Sequence, residues 1–63
     1  MYIVRFVGSD NQTVEEYLYH KEKDAMFHFS LFEEDDSHLY SHIEVLRIFE
    51  NREVEIAKIN LQY

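Results

Sequence analysis

The residue types in the middle of the chain come closest to a metal site. His38 and His42 are four residues apart and follow Asp35 and Asp36. Zinc needs three or four ligands that converge tetrahedrally, and a His-x-x-x-His pair converges on a continuous helix. Here the pair spans a loop and the start of a strand, and the acidic residues lack the spacing and the glycine of a calcium-binding EF-hand loop. We therefore expect no metal and no cofactor.

Serine and carboxylate side chains give no catalytic pattern either. Ser30, Ser37 and Ser41 lie near histidines along the chain, but no strained elbow or glycine-rich turn presents one of them as a nucleophile. Paired carboxylates are abundant, but a general acid or base needs a pKa tuned by burial, and a surface loop does not provide it. The single glycine, Gly8, cannot build a phosphate-binding loop. The expectation is that the protein is not an enzyme.

Four consecutive carboxylates, Glu33 to Asp36, follow an apolar stretch that is typical of a helix. Negative charge at the C-terminal end of a helix opposes the helix dipole. The run should therefore end the helix at about Phe32 to Glu34, and its side chains should turn the chain by hydrogen bonding to the backbone.

The overall charge is strongly acidic. Thirteen acidic residues against six basic ones give a net charge of -7 over 63 residues. Such a surface repels nucleic acid and anionic membranes, so we expect neither as a direct partner. Arg5, Arg47 and Lys58 would share a sheet face with Tyr17 and Tyr19, but acidic residues surround them, and this is too weak a pattern for a phosphate-binding stripe.

Length and composition predict one folded domain, residues 1–63. The hydrophobic content of 46% and the aromatic content of 16% are enough for a packed core. Cysteine is absent, so disulfides cannot supplement that core. The sequence has no apolar run of the roughly 20 residues that a membrane span needs, and its N-terminus lacks the features of a signal peptide. A cytoplasmic location is therefore expected.

The first half of the chain predicts a hairpin. Residues 2–7 are aromatic and β-branched, as in a strand. Residues 8–12 contain the turn-forming types, and residues 13–20 alternate imperfectly as a second strand. Val14 and Leu18 are the better candidates for the buried side of that strand.

A helix is predicted next, within residues 21–34. Ala25, Phe29 and Phe32 follow the i, i+4, i+7 spacing of a side that faces a core. Phe27 and Leu31 form an i, i+4 pair that lies mostly off this stripe.

The C-terminal part, residues 41–63, predicts a second hairpin, with the third strand starting near Tyr40. A tight turn at Asn51-Arg52 would set Phe49 opposite Val54. Together the elements predict an α+β fold of β-β-α-β-β order, in which one helix packs on one face of a four-stranded, mainly antiparallel sheet. The order of the strands in the sheet stays open.

Both sheet faces carry more apolar residues than one helix can cover, which predicts a protein contact. The first hypothesis is a non-enzymatic interaction module that binds itself, as a homodimer, or another protein. The expected interface combines two residues of the helix with four placed on the open sheet face: Phe27, Leu31, Tyr17, Tyr19, Val45 and Phe49.

An alternative hypothesis concerns the acidic residues. In size and charge the chain resembles small inhibitors carried by phages and other mobile elements, and this resemblance implies a DNA mimic that occupies the basic groove of a nucleic-acid-binding protein. The imitating charges would be Glu33, Glu34, Asp35, Asp36, Glu44, Glu50, Glu53 and Glu55.

Overall fold

The computed structural model describes residues 1–61 as four strands and one helix. In chain order these are β1 (Tyr2–Gly8), β2 (Val14–Tyr19), α1 (Glu22–Ser30), β3 (Tyr40–Phe49) and β4 (Arg52–Asn60). The strands form one antiparallel sheet in the order β2-β1-β3-β4. The predicted β-β-α-β-β fold, with one helix on one face of the sheet, is confirmed. The last two residues of the predicted second hairpin lie outside the described part.

The core lies between α1 and the face of the sheet that carries Val4 and Phe6. Val4, Ile43 and Val45 are completely buried there. From the helix, Ala25 and Phe29 enter the same cluster, as their spacing predicts. The helix contacts β1, β2 and β3. We call this side of the sheet the helix face and the other side the open face.

The helix ends at Ser30, earlier than the predicted end at Phe32 to Glu34, so that prediction was wrong. The Ser30 hydroxyl donates a hydrogen bond of 2.7 Å to the carbonyl oxygen of Phe27. Residues 31–34 then form turns, and the Asp35 N–H donates to the Phe32 carbonyl oxygen. Serine bonded back to the backbone and carboxylates at the negative end of the dipole both disfavour further helix. Strand β3 begins at Tyr40, as predicted.

The second hairpin turns at Glu50-Asn51, so the predicted turn at Asn51-Arg52 was wrong by one residue. Both turn residues have positive φ, 50° for Glu50 and 63° for Asn51. This is the requirement of a type I′ turn, which matches the right-handed twist of the strands. Phe49 consequently pairs with Arg52 instead of Val54.

A β-bulge interrupts the same hairpin further along. Val45 pairs with Ala57 and Leu46 pairs with Glu55, which leaves Ile56 as an extra residue in β4. The bulge shifts the pairing by one residue, and so it changes which β4 residues lie on each face.

The side of strand β2 that faces the helix is the opposite of the side predicted. Val14 and Leu18 are exposed, so their assignment to the core was wrong. Tyr17 pairs with Val4, which puts the tyrosine on the helix face. There its ring makes an edge contact with Phe6 at a centroid distance of 5.6 Å. The ring contacts that Tyr17 and Tyr19 make with Phe6 and His28 favour this facing of the strand.

Two phenylalanines of α1 provide a test of the core. Phe29 is 6% exposed and Phe27 is 66% exposed. We expect F29A to lower the free energy of unfolding by about 3–5 kcal/mol, and F27A, a surface change, to alter it by less than about 0.5 kcal/mol. Urea denaturation followed by circular dichroism measures both. Equal effects of the two substitutions would contradict this placement of the helix.

The type I′ turn provides a second test. Glycine adopts positive φ without strain, so N51G should raise the free energy of unfolding by about 0.5–1 kcal/mol. N60G makes the same replacement within strand β4, where glycine weakens a strand, and it should lower this free energy. The same denaturation measurement applies. A loss of stability in N51G would be inconsistent with the turn at Glu50-Asn51.

Candidate functional site

The four residues predicted to form an interface on the open sheet face all lie on strand positions of the helix face. Val45 is completely buried in the core, so its place in an exposed interface was wrong. Tyr17 and Tyr19 pair with Val4 and Tyr2 on the side covered by α1. Phe49 is exposed on the helix face, at the end of β3.

Three of the predicted contact residues meet at one groove. Tyr19, Phe27 and Leu31 line it together with Asp24 and His28, and its volume is about 310 Å³. We call these five residues the helix groove. Phe27 and Leu31 are 66% and 63% exposed, so the groove is open to solvent on their side. Four of the five residues follow the i, i+3, i+4, i+7 spacing, so they lie on one side of α1 and its C-terminal cap. They are Asp24, Phe27, His28 and Leu31.

An aromatic cluster holds His28 at the base of this groove. The His28 ring lies between 5.1 and 5.8 Å, centroid to centroid, from the rings of four neighbours: Phe6, Tyr17, Tyr19 and Phe32. His28 Nδ1 and the Tyr19 hydroxyl also share a hydrogen bond of 2.7 Å. This histidine was not among the residues predicted to form a site. The sequence signal that could have indicated these aromatic surroundings is the alternation of Tyr17 and Tyr19, which puts both rings on one side of a strand.

Phe49 belongs to a separate surface. It lies near the hairpin turn with Arg47, whose guanidinium carbon is 5.3 Å from the centre of the Phe49 ring. Val54 pairs with Arg47 and is exposed beside them. Helix α1 makes contacts with β1, β2 and β3, and this end of the β3-β4 hairpin extends past it.

The open face is organised in rows that run across the strands. One is mainly apolar: Leu18, Ile3 and Leu46 are direct neighbours on β2, β1 and β3, and Glu55 ends the row on β4. We call it the apolar row. Ile3 and Leu46 are buried although no helix covers them. The next row is charged and crosses all four strands in the order Glu16, Arg5, Glu44, Lys58. A third row contains Val14, Val7, His42 and Asn60.

Arg5 is the centre of the charged row. Its Nε lies 2.6 Å from Glu16 Oε2, its NH2 group 3.0 Å from Glu53 Oε2, and its NH1 group 3.7 Å from Glu44 Oε2. The side chains of Arg5 and Glu44 are only 23% and 17% exposed. Hydrogen bonds from Arg5 to Glu16 and Glu53 raise the pKa of Arg5 above its usual value. His42 Nε2 extends the network, 3.2 Å from Glu44 Oε1.

The eight carboxylates of the acidic-face hypothesis are divided among several parts of the molecule. Glu44 and Glu53 lie in the Arg5 network on the open face. The acidic run Glu33 to Asp36 precedes β3, whereas Glu50 follows it. Ten strand residues, about 33 Å, separate the two ends of β3. Glu55 lies opposite Leu46 at the bulge.

The histidines considered in the sequence do not come together as a metal-binding group among residues 1–61. No group of three or more histidine, cysteine or acidic side chains in that range is arranged to hold a metal ion. His38, in the loop before β3, has positive φ (63°), whereas His42 lies on the open face. The Ser41 hydroxyl is 3.5 Å from His42 Nδ1.

The β1-β2 loop is fixed by Asp10. Its carboxylate accepts hydrogen bonds from the Gln12 and Thr13 N–H groups, both 2.9 Å, and from the Thr13 hydroxyl, 2.8 Å. These bonds lower the pKa of Asp10. A Cβ atom at Gly8 would lie 3.0 Å from Asp10 Oδ1 and 3.2 Å from Thr13 Cβ, so glycine lets the loop close. A second cavity, about 260 Å³, lies between this loop and Tyr40.

No family model, curated protein or solved structure matches this chain. No helix in the described part is long and apolar enough to cross a membrane.

The Asp10 bonds predict a dependence of stability on pH. A carboxyl group whose pKa is lowered on folding stabilises the protein above its ordinary pKa, and this contribution is lost as the pH falls through the lowered value. D10A should therefore reduce the urea midpoint at pH 7 and reduce it much less at pH 2. In the unaltered protein, NMR titration should place the pKa of the Asp10 carboxyl below its ordinary value of 3.8.

T13V, which removes only the hydroxyl donor, serves as the graded control and should move the Asp10 titration part of the way back. An equal loss of stability in D10A at both pH values would show that the charge of Asp10 is not what holds the loop.

Proposed function

We propose that the protein is a small non-enzymatic interaction module that pairs with a second copy of itself through the open sheet face. The observation that carries this proposal is the order of signs in the charged row. Glu16, Arg5, Glu44 and Lys58 alternate negative, positive, negative, positive across the sheet. If the same row of a second copy runs in the opposite direction, each charge in one copy lies opposite a charge of the other sign.

Two-fold symmetry would produce this pairing. If the axis runs along the strands between β1 and β3, it lays β1 over β3 of the other copy and β2 over β4. Arg5 of each copy then faces Glu44 of the other, and Glu16 faces Lys58. In the apolar row, the same axis sets Ile3 against Leu46. Every charge in the charged row meets its opposite, and Ile3 and Leu46 meet each other, whereas Leu18 on β2 faces Glu55 on β4 of the other copy.

The area limits the strength of this dimer. Four strands at about 4.8 Å spacing and six or seven paired residues of about 3.3 Å give a face of roughly 400 Å² per copy. Stable complexes bury about 800 Å² per partner. We therefore expect a weak dimer, with a dissociation constant of about 10–100 µM, in which the charges set the specificity.

Surface composition also supports contact with a protein. Leu18 is exposed at the β2 edge of the open face, beside the buried Ile3 and Leu46. Contiguous apolar surface of this kind marks interfaces more often than isolated residues do. The DNA-mimic alternative draws less support, because the acidic run Glu33 to Asp36 and Glu50 lie at opposite ends of β3.

Sedimentation equilibrium from about 5 to 500 µM tests the dimer. The mean mass should rise from 7.7 kDa toward twice that value. K58E and E16K each put two like charges opposite each other in the pair, so each variant should stay monomeric. An equal mixture of the two variants should dimerise again, because the glutamate introduced by K58E then faces the lysine introduced by E16K.

The controls are K23E and E22K, which make the same charge changes on α1, and they should dimerise as the unaltered protein does. Circular dichroism melting checks that each variant is folded. A chain that stays monomeric at about 500 µM, or a mixture that does not recover, would overturn the pairing.

A further inference from the structure

The helix groove lies on the opposite side of the sheet from the proposed dimer face. Its walls combine three chemical features: the rings of Tyr19, Phe27 and His28, the aliphatic side chain of Leu31, and the carboxylate of Asp24. A groove of this kind is apolar over most of its lining and carries one negative charge.

We propose that the helix groove binds a cationic side chain with an apolar stem, an arginine or a lysine on a partner protein. Aromatic faces attract cations through the negative potential of their π systems, and the attraction increases when water is partly excluded. Asp24 adds a formal charge of the right sign, while Phe27 and Leu31 cover the methylene groups of the stem.

Size and charge support this occupant. The volume of about 310 Å³ is at the lower end of the range for ligand pockets, roughly 300–1,000 Å³, and suits one long side chain better than a larger molecule. Two basic residues near Asp24 are not part of the lining: Lys21, which precedes α1, and Lys23, which lies in its first turn. The net charge of -7 attracts a basic partner at longer range.

The base of the groove is rigid enough to present these groups together. His28 is packed among aromatic rings and bonded to the Tyr19 hydroxyl, so two walls of the groove are fixed to each other. Asp24 lies in the first turn of the helix and Leu31 caps its last turn, so they stand at either end of the exposed strip. This site does not depend on the dimer, because a monomer carries the complete groove.

NMR titration with Nα-acetyl-arginine amide tests the site. The arginine probe should shift the resonances of Leu31, Phe27 and His28, with saturation in the millimolar range expected for so small a ligand, about 1–10 mM. Nα-acetyl-citrulline amide, which has nearly the same shape without the charge, should bind about threefold more weakly or worse. Nα-acetyl-norleucine amide, which is also uncharged, should bind more weakly as well.

Two substitutions separate the groove from general charge. D24N should weaken the arginine probe about two- to fivefold, the range of an exposed cation–π or ion-pair contribution. D36N removes the same charge from the loop after the helix and should leave the affinity unchanged. Circular dichroism of D24N checks the helix, because Asp24 lies in its first turn.

Equal binding of the arginine and citrulline probes, equal effects of D24N and D36N, or shifts that map away from the groove would each overturn the proposal. Shifts that depend only on protein concentration would overturn it too, and would assign the groove to a second copy of the chain. The K58E variant, monomeric under the dimer proposal, should bind the arginine probe as the unaltered protein does, so failure of one proposal leaves the other testable.

Discussion

One short helix has to cover a sheet that is much larger than itself, and the character of every exposed surface follows from this. Helix α1 has nine residues, about 14 Å, whereas β3 has ten residues in extended form, about 33 Å. The helix buries the middle of the sheet through Ala25 and Phe29. It leaves the hairpin end with Phe49 uncovered, and it leaves the whole open face to be stabilised by the sheet alone.

On the open face, a charged row lies between a row that contains Leu18, Ile3 and Leu46 and a row that contains Val14 and Val7. Placing a guanidinium on the central strand is costly unless its charge is compensated, because it loses contact with water. Three glutamates from three other strands compensate Arg5, so one residue of β1 ties the positions of β2, β3 and β4 together. The exposed edge strands carry charges of their own, Glu15 and Glu16 on β2 and Glu53 and Glu55 on β4, which discourages edge-to-edge aggregation.

The sequence was sufficient to predict the elements because their signals depend on a few neighbouring residues. The faces of β2 could not be predicted in the same way, since its valine, leucine and tyrosines compete for the core and the decision depends on Phe6 and His28 from other elements. In the second hairpin, a turn one residue earlier changes the pairing partners, and a bulge at Ile56 reverses the facing of the β4 residues that follow it, although each alters the local pattern very little. Two partners of Arg5 are 11 and 48 residues away along the chain. Strand order brings them together, and strand order was the part of the fold that stayed open.

Net charge and local charge order act on association in opposite directions. Two copies with seven surplus negative charges each repel one another at distances where individual charges are not resolved. Salt screens that repulsion over about 8–10 Å, so at contact distance the alternating row on the open face dominates. An approach through any other surface meets the repulsion without this compensation. Under the proposed pairing, the acidic surplus selects against non-specific association, and the open face is the surface on which a second copy would meet the least opposition.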